Sequence, residues 1–163
     1  MRRAFAASLP VIGSCNGMQL AASVLGGVTS ASPHGREDGL ARNIRLTEKG
    51  SRHPMMAGRE VSFDAPCTHR DEVVRLPDGA IRPAGNAHSE VQAFACEGDG
   101  ISFWGMQYHP EFEPAYLARY LQTMGTGGDF DLATLAAPET PAAMAMRTSE
   151  LRNWLVQFWL AEF

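Results

Sequence analysis

Apolar positions along the chain follow two alternating spacings. Leu9 to Ile12 is a compact apolar run leading into Gly13, and it reads as a buried strand over Leu9 to Ser14. The pattern then changes period. Leu20, Ala21, Val24 and Leu25 recur at helical spacing, so Asn16 to Leu25 reads as a helix closed by Gly26-Gly27. Arg2 to Ser8 reads as the end of a preceding helix, and Val28 to Asp38 as polar and turn-rich. Strands are expected at Leu40 to Leu46 and Arg59 to Phe63, with a loop around His53-Pro54 between them, and Val73 to Leu76 leads into a turn at Pro77-Asp78-Gly79. Val91 to Cys96 and Ile101 to Gln107 flank Glu97-Gly98-Asp99-Gly100, a hairpin signal. Pro114 opens a helix that runs to about Met124 before Gly125. Thr126 to Pro141 reads as a connector. Leu151, Trp154, Leu155, Phe158 and Trp159 form an apolar stripe on a last helix, Ser149 to Glu162, suited to packing on the body or on a partner. The mixture predicts a layered α/β domain.

One junction in this pattern carries chemistry. Gly13-Ser14-Cys15-Asn16-Gly17-Met18-Gln19 sits where the first strand turns into a helix. Strand, sharp turn and helix would place the Cys15 thiol at the tip of the turn, with flanking glycines allowing a tight backbone and close approach of a substrate. A helix N-terminus favours the thiolate. The backbone N–H of Asn16, just after the thiol, is a candidate oxyanion donor. A base is available downstream, in Trp104-Gly105-Met106-Gln107-Tyr108-His109-Pro110-Glu111-Phe112. His109 and Glu111 are two residues apart, which in an extended segment points both to one side. His109 is a candidate to take the Cys15 proton, and Glu111 to orient the ring.

These segments resemble the class I glutamine amidotransferases. The G-x-C-x-G-x-Q pattern is complete at Gly13 to Gln19, and His109-Pro110-Glu111 matches the family's H-P-E segment. Thr68-His69-Arg70-Asp71-Glu72-Val73-Val74-Arg75-Leu76-Pro77 is similar to the S-H-x-D-x-V-x-x-L-P stretch of GMP-synthase-like members, with Thr in place of Ser. The resemblance covers roughly Ser8 to Met124. It implies a Rossmann-like or flavodoxin-like layered sheet and hydrolysis of the glutamine side-chain amide through a cysteine thioester. It also implies roles for a Cys15-His109-Glu111 triad, for Gln19 on bound glutamine, and for the Thr68-His69 segment on the substrate's amino-acid end. Relatives carry several strands and an oxyanion loop before the nucleophile, whereas fourteen residues precede Cys15 here. The chain is therefore expected to be a partial amidotransferase domain, residues 1–124, lacking its first strands, followed by a connector and helix at 125–163. A γ-glutamyl peptidase or hydrolase of the same fold, and a non-catalytic remnant, remain open beside the glutaminase reading.

Composition narrows the partners. Among 163 residues, 45% are hydrophobic and 20% charged, ordinary for a globular protein. A net charge of −4 gives no basic footprint, so nucleic acid is not expected as a partner. Expected partners are glutamine and a separate ammonia-accepting synthetase. Three cysteines, Cys15, Cys67 and Cys96, contain no C-x-x-C, which argues against a disulfide framework and for a reducing, cytoplasmic setting. Met1-Arg2-Arg3 and the small residues before Cys15 superficially match a lipoprotein signal, but Pro10 and the helical pattern after Cys15 do not, and no membrane association is expected. His34, His53, His88, Cys67 and Cys96 show no paired metal-ligand spacing apart from the isolated Cys67-Thr68-His69, so neither metal nor other cofactor is expected. Arg36, Arg42, Arg45, Arg52 and Arg59 read as a solvated face.

Overall fold

The computed structural model of the protein describes residues 1–160. Its framework is a six-stranded sheet built from β1 (Val11–Ser14), β3 (Glu37–Leu46), β4 (Ser62–His69), β6 (Ile81–Gly85), β7 (Ala93–Gly98) and β8 (Ile101–Met106), in the order β1-β8-β7-β6-β3-β4. β1 and β8 run parallel, with Val11 opposite Phe103 and Ser14 opposite Met106. All other pairs are antiparallel. The expected hairpin at Glu97 to Gly100 joins β7 to β8, closing on the Gly98–Ile101 pair. Two shorter strands, β2 (Val28–Ala31) and β5 (Asp71–Arg75), form a separate antiparallel ribbon. The stretch read as turn-rich, Val28 to Asp38, thus holds β2, whose polar, mostly exposed side chains hide strand periodicity, and the first residues of β3, polar but buried or half-buried.

Both faces of the sheet are covered. On one side Phe94 and Phe103 meet Phe5 of α1 (Arg2–Ala6), Met18, Ala21 and Ala22 of α2 (Asn16–Val24), and Val73 of β5. On the other, Trp104, Met106 and Tyr108 join Ile44, Met55, Met56 and Phe63, with Trp154 and Phe158 packed against them. This two-sided burial explains why β8 reads as a near-continuous apolar run. A third cluster joins Leu117 and Leu121 to Leu135 and Leu40. It docks α4 (Pro114–Met124) and α5 (Asp129–Ala136) beside β3. β1 is only half-buried along its length, since β8 is its one neighbour among the described residues.

The connector read at Thr126 to Pro141 contains α5, begun by Gly128 with Asp129 and Asp131 in its first turn, where acidic side chains suit the helix dipole. After α6 (Pro141–Arg147) the last helix begins as expected at Ser149, runs as α7 (Ser149–Leu155), and widens into a π-turn over Val156–Leu160. The end of that helix, Ala161 and Glu162, lies outside the described residues. One expectation about arginines fails. Arg59 is buried rather than solvated, with both guanidinium arms on the buried Glu150, at 2.7 and 3.0 Å. Tyr108 Oη donates to the same carboxylate at 2.7 Å. Asn153 donates to the carbonyls of Met55 and Ala57, so α7 is tied to the sheet layer by polar as well as apolar contacts.

Candidate active site

The turn from β1 into α2 is built as the glycine pattern requires. Cys15 is the N-cap of α2, with φ 45° and ψ −109°. Positive φ is costly for a residue with a Cβ, and such strain persists only where the surroundings enforce it. The enforcing contacts are visible. The Cys15 N–H donates to the Met106 carbonyl at 2.7 Å, fixing the turn to β8, and the Cys15 carbonyl accepts from Gln19 N at 3.0 Å. Gly13 allows α2 to approach: a Cβ there would lie 2.8 Å from the Gly17 carbonyl carbon and 3.1 Å from Met18 N. The first helical N–H groups have no acceptor within the helix, so the Asn16 N–H, next in the chain after the thiol, is a candidate donor.

β8 ends at Met106, and His109 and Glu111 sit in the turn before α4. They therefore meet through the turn, not by the extended two-residue spacing the sequence suggested. His109 Nδ1 lies 2.8 Å from Glu111 Oε1, and the same oxygen accepts from Ser14 Oγ at 2.7 Å. The His109 ring stacks on Phe112, with centroids 4.2 Å apart and planes 2° from parallel. Its backbone N–H is held by the Pro66 carbonyl at 2.8 Å. Burial alone would strip the proton from His109. Hydrogen bonds to Cys15 and Glu111, and their charges, outweigh it and lift the ring from 6.5 to about 9. Glu111 responds in the opposite sense: burial would raise its pKa, but bonds to His109 and Ser14 hold the carboxyl below its ordinary range. Imidazole and carboxylate are thus bonded to each other, with the thiol near enough to raise the ring's pKa, as a nucleophile, its base and an orienting acid would be.

The third segment closes the other side. Cys15 Sγ lies 3.7 Å from the Thr68 carbonyl oxygen, at the end of β4. Thr68 Oγ1 donates to Asp38 Oδ1 at 2.8 Å and accepts from Arg36 at 3.2 Å, while Arg36 grips Asp38 with two bonds of 2.7 and 2.9 Å. His69 points away from the thiol into the protein, with Nε2 2.8 Å from Glu37 Oε2 and Nδ1 3.2 Å from the Asp71 carbonyl. Gln19 is also engaged: its Nε2 donates to the Asp71 carbonyl at 2.6 Å and to Gln107 Oε1 at 3.2 Å. Cys15, His109, Glu111, Asn16 and the Thr68 backbone therefore share one site. His69 and Gln19 reach it through the segments they brace. Ser14, Phe112 and Asp38 escaped the sequence reading. Ser14 and its partner Glu111 are 97 residues apart, and nothing in local pattern marks such a bond.

The comparisons with known proteins agree with this arrangement at the level of family. The family model "Glutamine amidotransferase class-I" matches residues 1–122. A γ-glutamyl-L-1-hydroxyisopropylamide hydrolase of a Pseudomonas species is 42% identical over 113 residues, which is 68% of this chain and 38% of the relative. A glutamine-hydrolysing GMP synthase of Nitrosococcus oceani is 37% identical over 112 residues, 66% of this chain and 21% of the relative. The crystal structure of a glutamine amidotransferase from Thermotoga maritima superposes with a TM-score of 0.74 at 20% identity, covering 96% of this chain and 65% of that one. The chain thus spans well under half the length of these curated relatives and about two thirds of that structure. Among the described residues no helix is long and apolar enough to cross a membrane. The chain belongs to the class I glutamine amidotransferases.

Proposed function

We propose that the Cys15 site hydrolyses the side-chain amide of glutamine. The observation that carries this reading is the strained Cys15 turn facing a His109 that is bonded to Glu111 and lifted to about 9. A protonated imidazole beside the sulfur is the partner a thiolate requires. The sulfur attacks the amide carbon, and the oxygen gathers negative charge toward the Asn16 N–H. The C–N bond breaks as His109 gives its proton to the leaving ammonia, leaving a thioester on Cys15. His109 then takes a proton from water, whose oxygen attacks the thioester, and glutamate leaves with the thiol restored. Glu111, fixed by Ser14, keeps the ring in register and favours its charged form. Gln19 braces the substrate-facing segment, and the Thr68-His69 backbone meets the amino-acid end of glutamine. A separate synthetase would receive the ammonia, as the GMP synthase relatives suggest by name.

A second reading keeps every step but changes the leaving group to an alkylamine. The 42%-identical relative, named as a γ-glutamyl amide hydrolase, favours it. The test is one assay with two substrates. The purified chain is given glutamine, with ammonia measured, and an N-alkyl γ-glutamyl amide, with amine measured, against a Cys15→Ala control. Cys15-dependent turnover of glutamine supports the first reading, and turnover of the alkyl amide alone supports the second. A chain inert to both, whose Cys15 is labelled by a glutamine-mimicking electrophile no faster than Cys67 and Cys96, refutes both.

A further inference from the structure

We infer that Glu37, His69 and His88 form a binding site for a divalent metal ion of the zinc type, behind the segment that faces Cys15. One ring nitrogen from each histidine and one carboxylate oxygen of Glu37 lie within 4.8 Å of one another. His69 Nε2 is 2.8 Å and His88 Nδ1 3.8 Å from Glu37 Oε2. Ligand atoms on a tetrahedral zinc with bonds of about 2.0–2.1 Å stand roughly 3.3 Å apart, between those two values. For these two pairs the change needed is about half an ångström, and the two histidine nitrogens, within 4.8 Å of each other, would close toward the same spacing.

The surroundings are those of a prepared ligand set. Metal-binding histidines usually give their second ring N–H to a carbonyl or other acceptor, which fixes the tautomer. His69 Nδ1 faces the Asp71 carbonyl at 3.2 Å, which can only accept. His88 Nδ1, 3.1 Å from Ser89 Oγ, is the ring nitrogen that faces Glu37. Glu37 is aimed by Asn86 Nδ2 at 2.8 Å on one oxygen and by Gln92 Nε2 at 2.7 Å on the other. The Asn86 side-chain oxygen also accepts from the N–H groups of His88 and Ser89, which ties the loop carrying His88 to the same carboxylate. Two imidazoles and a carboxylate are a nitrogen–oxygen set suited to zinc, with a fourth position for water. Sequence spacing gave no sign of it, because the site assembles from β3, the end of β4 and the β6–β7 loop, with Glu37 and His69 alone 32 residues apart.

The ion would clamp three elements just behind Thr68, whose carbonyl meets the Cys15 thiol, so its role is to stiffen that segment. The inference stands whether or not Cys15 is catalytic. The test uses the full chain as the Cys15→Ser variant, which removes the competing thiol, stripped with chelator and titrated with Zn²⁺ alone. One zinc per chain and a raised Tm are expected, with zinc-induced shifts in the NMR ring signals of His69 and His88. His88→Gln should weaken binding roughly tenfold or more. Absence of stoichiometric zinc, shifts confined to His53 or His109, or a folded His88→Gln chain that binds unchanged would each overturn the inference. If His88→Gln does not fold, the NMR shifts in the otherwise intact chain decide.

Discussion

Replacing Glu111 by Gln keeps the size of the side chain and an oxygen able to accept from Ser14 Oγ and His109 Nδ1, now at 2.7 and 2.8 Å, but removes the charge. The rise of His109 from 6.5 to about 9 represents on the order of 3 kcal/mol at about 1.4 kcal/mol per pH unit. Because the pKa is raised on folding, that stabilisation is fully present below about pH 6.5 and is lost as pH climbs through about 9. Cys15 supplies part of the rise, so Glu111→Gln should lower the His109 pKa by roughly 1–2 units, or about 1.5–3 kcal/mol at neutral pH. Two assays read this: an NMR titration of the His109 ring, and denaturant unfolding from about pH 6 to about pH 10. Wild type should exceed the variant in stability near neutrality, and the gap should shrink above about pH 9, where His109 is neutral in both. Amide hydrolysis should fall on the order of 10²–10⁴-fold. A wild-type His109 titrating near 6.5, or one that titrates alike in both proteins, would refute the charge coupling.

Three other perturbations follow from particular contacts. Glu150→Ala leaves the buried Arg59 guanidinium and the Tyr108 hydroxyl without their shared carboxylate, and should cost about 3–5 kcal/mol in denaturant unfolding. Gly13→Ala drives a Cβ into the backbone of α2 at 2.8 Å. It should lose about 1–3 kcal/mol and slow alkylation of Cys15, read by peptide mass spectrometry. Cys15→Gly removes the thiol and also the strain at φ 45°, whereas Cys15→Ala removes the thiol alone, so both should abolish hydrolysis and the Gly variant should exceed the Ala variant in Tm by the equivalent of about 1 kcal/mol; an equal or lower Tm for Gly would mean that the turn is not strained.

The element plan and the reactive segments were legible because each is written locally. The switch from strand to helical spacing around Cys15, the hairpin signal before Ile101 and the Pro114 helix start are properties of contiguous residues. Strands with polar residues were not: β2 is mostly exposed and β3 opens on Glu37-Asp38, so neither start shows the apolar run that two-sided burial gives β8, and α5 hides in a short Ala-containing stretch of low amphipathicity. Arg59 looked like its solvated neighbours because its partner Glu150 is 91 residues away.

The sequence alone determined the layered α/β class and which thiol, imidazole and carboxylate are candidates for chemistry, since turn geometry and periodicity depend on near neighbours, and its motifs carried the family. Tertiary structure decided the rest. Parallel pairing of β1 with β8 brings Cys15 against Met106 and sets it beside the turn that carries His109. Folding sets Ser14 on Glu111, stacks Phe112 on the ring, and turns His69 from the thiol toward Glu37. Several of those relations join residues tens of positions apart, and the hydrogen bonds and opposite charges that lift His109 and lower Glu111 against the opposing effect of burial exist only once the groups meet in space.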